Sequence, residues 1–107
     1  MKFTALIPTR RNDGSVVDAM ELQHIVEGLW RQFGGATIEG YVEGHWIDEQ
    51  DARHYQDTGL KISVVCDASR LHEAEQAVIE IGKRLGQIAM YFEVQNFDGV
   101  RFLRIDS

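Results

Sequence analysis

One cysteine and one proline are all that this chain of 107 residues holds of either. The lone Cys66 excludes an internal disulfide, so a reducing cytoplasm is the expected compartment. The lone Pro8 excludes a proline-rich linker, and no low-complexity segment or internal repeat is present. No apolar run approaches the roughly 20 residues of a membrane helix, and the start, MKFTALIPTRR, lacks the apolar stretch of a signal peptide; no membrane partner is expected. Basic residues are in the minority. Eleven Lys and Arg face 17 Asp and Glu, a formal net charge of -6. An acidic surface repels phosphates, so nucleic acid is not an expected partner. The length suits a single domain over residues 1–107 and is too short for two.

The densest local composition lies in residues 33–57, FGGATIEGYVEGHWIDEQDARHYQD. Four of the ten glycines, two of the four histidines and one of the two tryptophans fall there, which makes it the first place to look for a site. Around it the chain reads as alternating periodicities. Lys2–Pro8 is a short apolar strand, with Phe3, Ala5 and Ile7 on one side and Thr4 and Leu6 on the other; Pro8, unable to donate to a ladder, ends it. TRRNDG follows as a loop. Ser15 is placed to cap a helix, whose stripe is Leu22, Ile25, Val26, Leu29, Trp30 and Phe33 and whose stop is Gly34. Gly28, inside that helix, suggests close packing against a sheet.

Thr37–Ile47 reads as a second strand. Strict alternation puts Ile38, Val42 and Trp46 on the core face and Tyr41, Glu43 and His45 on the other, while Gly40 and Gly44 hint at a bulge or a close neighbour. Residues 48–58 form a polar connection. Leu60, Ile62, Val64 and Cys66 alternate with Lys61, Ser63 and Val65 as a third strand. Ser69 is placed to cap a second helix with the stripe Leu71, Ala74, Val78, Ile81 and Leu85, ended by Gly86. Residues 87–96 read as a fourth strand. Asp98-Gly99 is a two-residue hairpin signal leading to a fifth strand over 100–105. That turn sets Val94 opposite Leu103, Phe92 opposite Ile105 and Glu93 opposite Arg104, so apolar meets apolar and acid meets base.

This order predicts an α+β fold: a ferredoxin-like βαββαβ sandwich, an antiparallel sheet in the order 4-1-3-2 with two helices on one face, plus the appended C-terminal strand. The pieces LIPTRRNDG, FGGATIEGYVEGHW, Tyr55-Gln56-Asp57 and LGQIAMYFEV resemble a family of short, uncharacterised bacterial proteins, over most of residues 3 to 94. That resemblance implies a ferredoxin-like fold and carries over no established activity and no catalytic residue.

Three groups are chemically suggestive. Tyr41, Glu43 and His45, with Lys61 and Ser63 as expected neighbours, place a carboxylate two residues from an imidazole, a pairing suited to acid–base work; a solvated polar face is the competing reading. Asp48, Glu49, Asp51, His54, Tyr55 and Asp57 are metal-ligand types, but their spacing fits no calcium loop, so an acidic surface loop is expected and no metal or cofactor is assigned. Arg10 and Arg11, between a strand and a helix start, suit a small anion or are ordinary surface charge. A burial-prone position makes Cys66 an inert thiol.

The expected function is a dimeric binding or regulatory module for a small ligand or a protein partner. One alternative is a small cofactor-independent enzyme of the dimeric α+β barrel type, using His45 and Glu43. Another is an acidic inhibitor of a nucleic-acid enzyme. The homodimer is expected through the open sheet face, too apolar for a solvent face and too polar for a core.

Overall fold

A computed structural model describes residues 1–96 and 101–105. Its elements are β1 (Lys2–Pro8), α1 (Ala19–Phe33), β2 (Thr37–Ile47), β3 (His54–Val65), α2 (Leu71–Arg84) and β4 (Phe92–Gln95), with a 3-10 turn at Ala68–Arg70 before α2. The strands form one antiparallel sheet in the order β2-β3-β1-β4. Among the described residues, no helix is long and apolar enough to cross a membrane.

β1 is central, and alternation decides its faces. Phe3, Ala5 and Ile7 are buried, as are their neighbours Leu60, Ile62 and Val64 on β3. Leu22, Ile25, Leu29 and Phe33 of α1 and Ala74 and Val78 of α2 close on the same side in one cluster. Both helices therefore cover one face. Trp30, expected in that core, is 44% exposed; its ring lies instead under the Arg31 guanidinium, 4.9 Å from the centroid. Gly28 is exposed too, and a Cβ built there would meet nothing within 4 Å. The close packing expected at this glycine is absent.

The helix ends differ from expectation in an instructive way. Asp18 caps α1, its side chain accepting the Glu21 N–H at 2.8 Å. Ser15 is spent earlier: its N–H and hydroxyl both donate to Asp13 Oδ1, at 2.9 and 2.6 Å, in the loop before the helix. Gly34 ends α1 with φ +87, as its lack of a side chain allows. Before α2, Asp67 accepts the Ser69 N–H at 2.8 Å, so Ser69 is capped instead of capping.

Arg70 and Glu73 tie α2 to α1. Arg70 donates twice to Glu73, at 2.9 and 2.8 Å, and once to Gln32 O at 3.0 Å, while the Gln32 amide donates to Glu73 at 3.0 Å. Arg70 first, and Gln32 second, hold the Glu73 carboxyl at about 2, down from its ordinary 4.5. A depressed carboxylate stabilises the fold fully above its unfolded value, and that contribution fades as pH falls toward the folded one. Thermal unfolding of Glu73→Gln should therefore lose less stability than the wild type between pH 4.5 and 2. Equal pH slopes would show that the contact contributes nothing.

Two β predictions are corrected at the C-terminal end. The fourth strand covers only Phe92–Gln95, not 87–96, and its pairing with β1 stops at Ala5 opposite Phe92. The preceding residues follow the end of α2 instead. Gln87 donates its N–H to Gly82 O at 2.9 Å and its side-chain amide to Arg10 O at 3.2 Å. Met90 packs over Gly82, where a Cβ would come within 2.7 Å of its Cγ. The appended fifth strand is not formed: residues 101–105 belong to no strand and are exposed. The expected Asp98-Gly99 turn lies outside the described residues.

Candidate functional site

A single extra residue in β2 decides which side chains can form a site. Ile38 faces Ile62, but the next pair is Gly40 with Lys61, so Glu39 is extruded as a β-bulge. Gly40 takes φ +125 there, a conformation that residues with a Cβ rarely adopt. Because the side-chain period is two, one extra residue exchanges the faces of everything after it. Tyr41, opposite the buried Leu60, lies on the helix side of the sheet, and Glu43 and His45 follow it. Val42, Gly44 and Trp46 move to the open face, which Leu6, Pro8 and Gly59 share. Val42 and Trp46 are thus not core residues; Trp46 is 41% exposed, and Ile38 before the bulge is 57% exposed.

Beyond Gly59, which pairs with both Val42 and Pro8, β2 and β3 continue together as a two-stranded arm without β1 beside them. A lone two-stranded ribbon is marginal, so side-chain pairs must hold it. Trp46 stacks on Tyr55, centroids 4.7 Å apart at 19°. Trp46 Nε1–H donates to Asp57 at 2.6 Å, and the Tyr55 hydroxyl donates to Asp51 at 2.9 Å. The expected polar connection is correspondingly shorter, since His54 already opens β3.

At the root of this arm, on the open face, lies a groove of about 470 Å³. Trp46, Val42 and Leu6 supply apolar wall, and Met90 and Tyr91 close the side toward β4. Its floor includes Gly44 and Gly59. A Cβ at Gly59 would sit 3.4 Å from Ile7 O and Leu6 Cβ, so that position is already tight. At Gly44 the nearest atom to such a Cβ is Asp57 O at 3.9 Å, and the missing side chain leaves the floor open. Asp57 stands at the polar rim; His45 borders the groove as well, but the register turns its side chain to the other face.

Glu43 and His45 do meet, as expected: His45 Nε2 and Glu43 Oε2 are 3.1 Å apart. His54, assigned to a different group in the sequence, joins them, with its Nε2 3.0 Å from His45 Nδ1 and the two rings stacked at 5.2 Å. A carboxylate only accepts, so Nε2 of His45 donates to it, and in an uncharged ring Nδ1 accepts from His54. The Gln56 amide donates to the other Glu43 oxygen at 2.6 Å. His45 first, then Gln56, hold the Glu43 carboxyl below its ordinary range. This chain of groups can orient an imidazole, though it is solvent-exposed and lies on the face of the arm away from the groove.

The other expected neighbours are not brought together. Lys61 lies on the opposite face from Tyr41, Glu43 and His45, and Ser63 is buried between Thr4 and Thr37. Arg11 forms an ion pair with Glu21 and donates to Val16 O at 3.1 Å, and Arg10 donates to Gly14 O at 3.2 Å. These arginines brace their own loop. The loop carboxylates do likewise, Asp48 accepting the Gln50 N–H and Asp51 the Arg53 N–H, each at 2.8 Å. Among the described residues, no group of three or more His, Cys, Asp or Glu side chains is arranged to hold a metal ion. Burial pushes the Cys66 thiol above its ordinary value, which disfavours a reactive thiolate.

Val42, Trp46 and Asp57 are the groove residues that sequence reasoning misplaced. The signal was present in the glycine pair 40 and 44, which suggested a bulge without saying on which side of Tyr41 it falls. No family model matches the chain, and no curated protein is significantly similar to it.

Proposed function

We propose that this protein is a ferredoxin-like binding module, acting as a homodimer, that holds a small flat ligand in the open-face groove. The observation that carries the reading is the groove itself: an indole with an exposed face beside a glycine floor, with a carboxylate at its edge. Pockets of this size with mostly apolar walls and few polar groups suit small organic molecules. A planar, mainly apolar ligand fits the gap above Gly44, and Asp57 favours one bearing a positive or hydrogen-bond-donating group. The βαββαβ order and the 4-1-3-2 arrangement support the fold assignment, as does the resemblance to short bacterial proteins, and the unpaired Cys66 suits a cytoplasmic setting.

The homodimer places a second open sheet face over the first. Leu6, Val42, Trp46, Val65 and Tyr91 supply the apolar part of that face, and a second sheet would roof the groove. A second reading, a cofactor-independent acid–base enzyme, is favoured by the Glu43–His45–His54 chain, which lies on the face of the arm opposite the groove and would act on a compound bound there.

A thermal-shift screen with planar aromatic amines and their neutral analogues tests the proposal. A ligand at 100 times its Kd should add about 2.7 kcal/mol of stability. Trp46→Ala should abolish the shift, because the stacking wall is lost. If no planar compound shifts the melting temperature, or if Trp46→Ala shifts as the wild type does, the groove is not the site. Comparison of the wild type with His45→Ala separates the two readings: a bound compound that the wild type leaves unchanged supports a binding module, and wild-type turnover that His45→Ala loses supports the enzyme.

A further inference from the structure

The C-terminal segment and the outer edge of β4 complement each other, yet among the described residues they form no ladder within one chain. Phe102, Leu103 and Ile105 are 85%, 80% and 89% exposed, and residues 101–105 form no strand. β4 is an edge strand, and among the described residues nothing pairs with it on the side away from β1. Edge strands left open are templates for another strand, and proteins usually block them. Laid antiparallel on β4 with Glu93 opposite Arg104, the segment sets Ile105 opposite Phe92 and Leu103 opposite Val94. Phe92 and Val94 are half-buried and pack against the core, so Ile105 and Leu103 would extend that same face.

A hollow marks the place independently. Between α2 and the residues leading into β4 lies a cavity of about 410 Å³, lined by Val78, Ile79, Ile88, Met90 and Phe92 among others. Ile105, opposite Phe92 on the helix side, would point toward it. On the other face Arg104 would reach Glu93, which now accepts only the Tyr91 hydroxyl, at 2.9 Å, among the described contacts.

We propose that residues 101–105 of one copy add as a strand to the β4 edge of a second copy, and that the second copy returns the exchange. Reciprocal exchange covers both β4 edges around a two-fold axis and leaves no unused tail to propagate. It goes beyond the ligand-binding reading and offers a different contact for the second copy, an alternative to the face-to-face dimer, and the test tells the two apart.

The test uses two charge reversals. In a dimer of Glu93→Arg chains, Arg104 meets arginine; in a dimer of Arg104→Glu chains, Glu93 meets glutamate. Each variant alone should run as a monomer of 12.2 kDa in sedimentation equilibrium at a concentration where the wild type is twice that mass. An equimolar mixture should restore the dimer, because every tail then meets an opposite charge on the other chain. Circular dichroism confirms that each variant is folded. Pairing inside one chain cannot be rescued by mixing, so a mixture that stays monomeric overturns the exchange. Removal of residues 97–107 provides a second measurement. A dimer that survives this deletion also overturns the exchange, while leaving the face-to-face dimer standing; ligand-induced thermal shifts report on the groove separately.

Discussion

Replacing Phe3 with alanine is expected to cost about 3–5 kcal/mol, a large part of the 5–15 kcal/mol that holds a small domain together. Phe3 is 1% exposed on the central strand, between Val64 and Val94 of its neighbours. Its ring meets Phe33 of α1 edge-on at 5.2 Å and stacks with Phe92 of β4 at 5.5 Å. The truncation therefore removes the transfer free energy of the ring, leaves a cavity between three elements, and deletes two aromatic contacts. Urea denaturation should show a lower midpoint with an unchanged slope. A loss below about 1 kcal/mol would mean that the helices do not close on this ring, and the core assignment would fail with it.

The second large effect is expected at Gly40. Valine there is strained by the φ of +125, although nothing lies within 4 Å to oppose its Cβ. The cost is conformational, about 1–3 kcal/mol. The chain can escape that strain by abandoning the bulge, and a one-residue slip would return Trp46 to the helix side and empty the groove wall. Gly40→Val should thus both lower stability and weaken whatever ligand the groove accepts. Unchanged urea denaturation together with unchanged thermal shifts would show that the bulge is not what builds this site.

How much of the fold could be read in advance depends on how locally each element is determined. The faces of β1 and the stripe of α1 follow from period alone, since Phe3, Ala5 and Ile7 alternate and Leu22, Ile25, Leu29 and Phe33 recur at helical spacing. Capping was less legible. Ser15 and Ser69 are good cap residues by type, but Asp13 and Asp67 hold each of them, and only the loop geometry shows it. The fourth strand failed for a related reason: Ile88 and Met90 have strand-like alternation with Phe92, but Gly82 offers Met90 a notch on α2 and draws the chain away from β1.

The candidate site shows the same division more sharply. Sequence alone determined the α+β class, the two amphipathic helices, the central strand and the pairing of Glu43 with His45, because each depends on spacings of a few residues along one element. Tertiary structure decided that Lys61 and Tyr41 are on opposite faces, that Trp46 lines a groove and is not buried, and that His54 reaches His45. All three follow from one extruded residue, Glu39. Glycine type can suggest a bulge, but its position is set by which pairing lets Ile38 face Ile62 while Tyr41 faces Leu60, and that is a property of two strands at once.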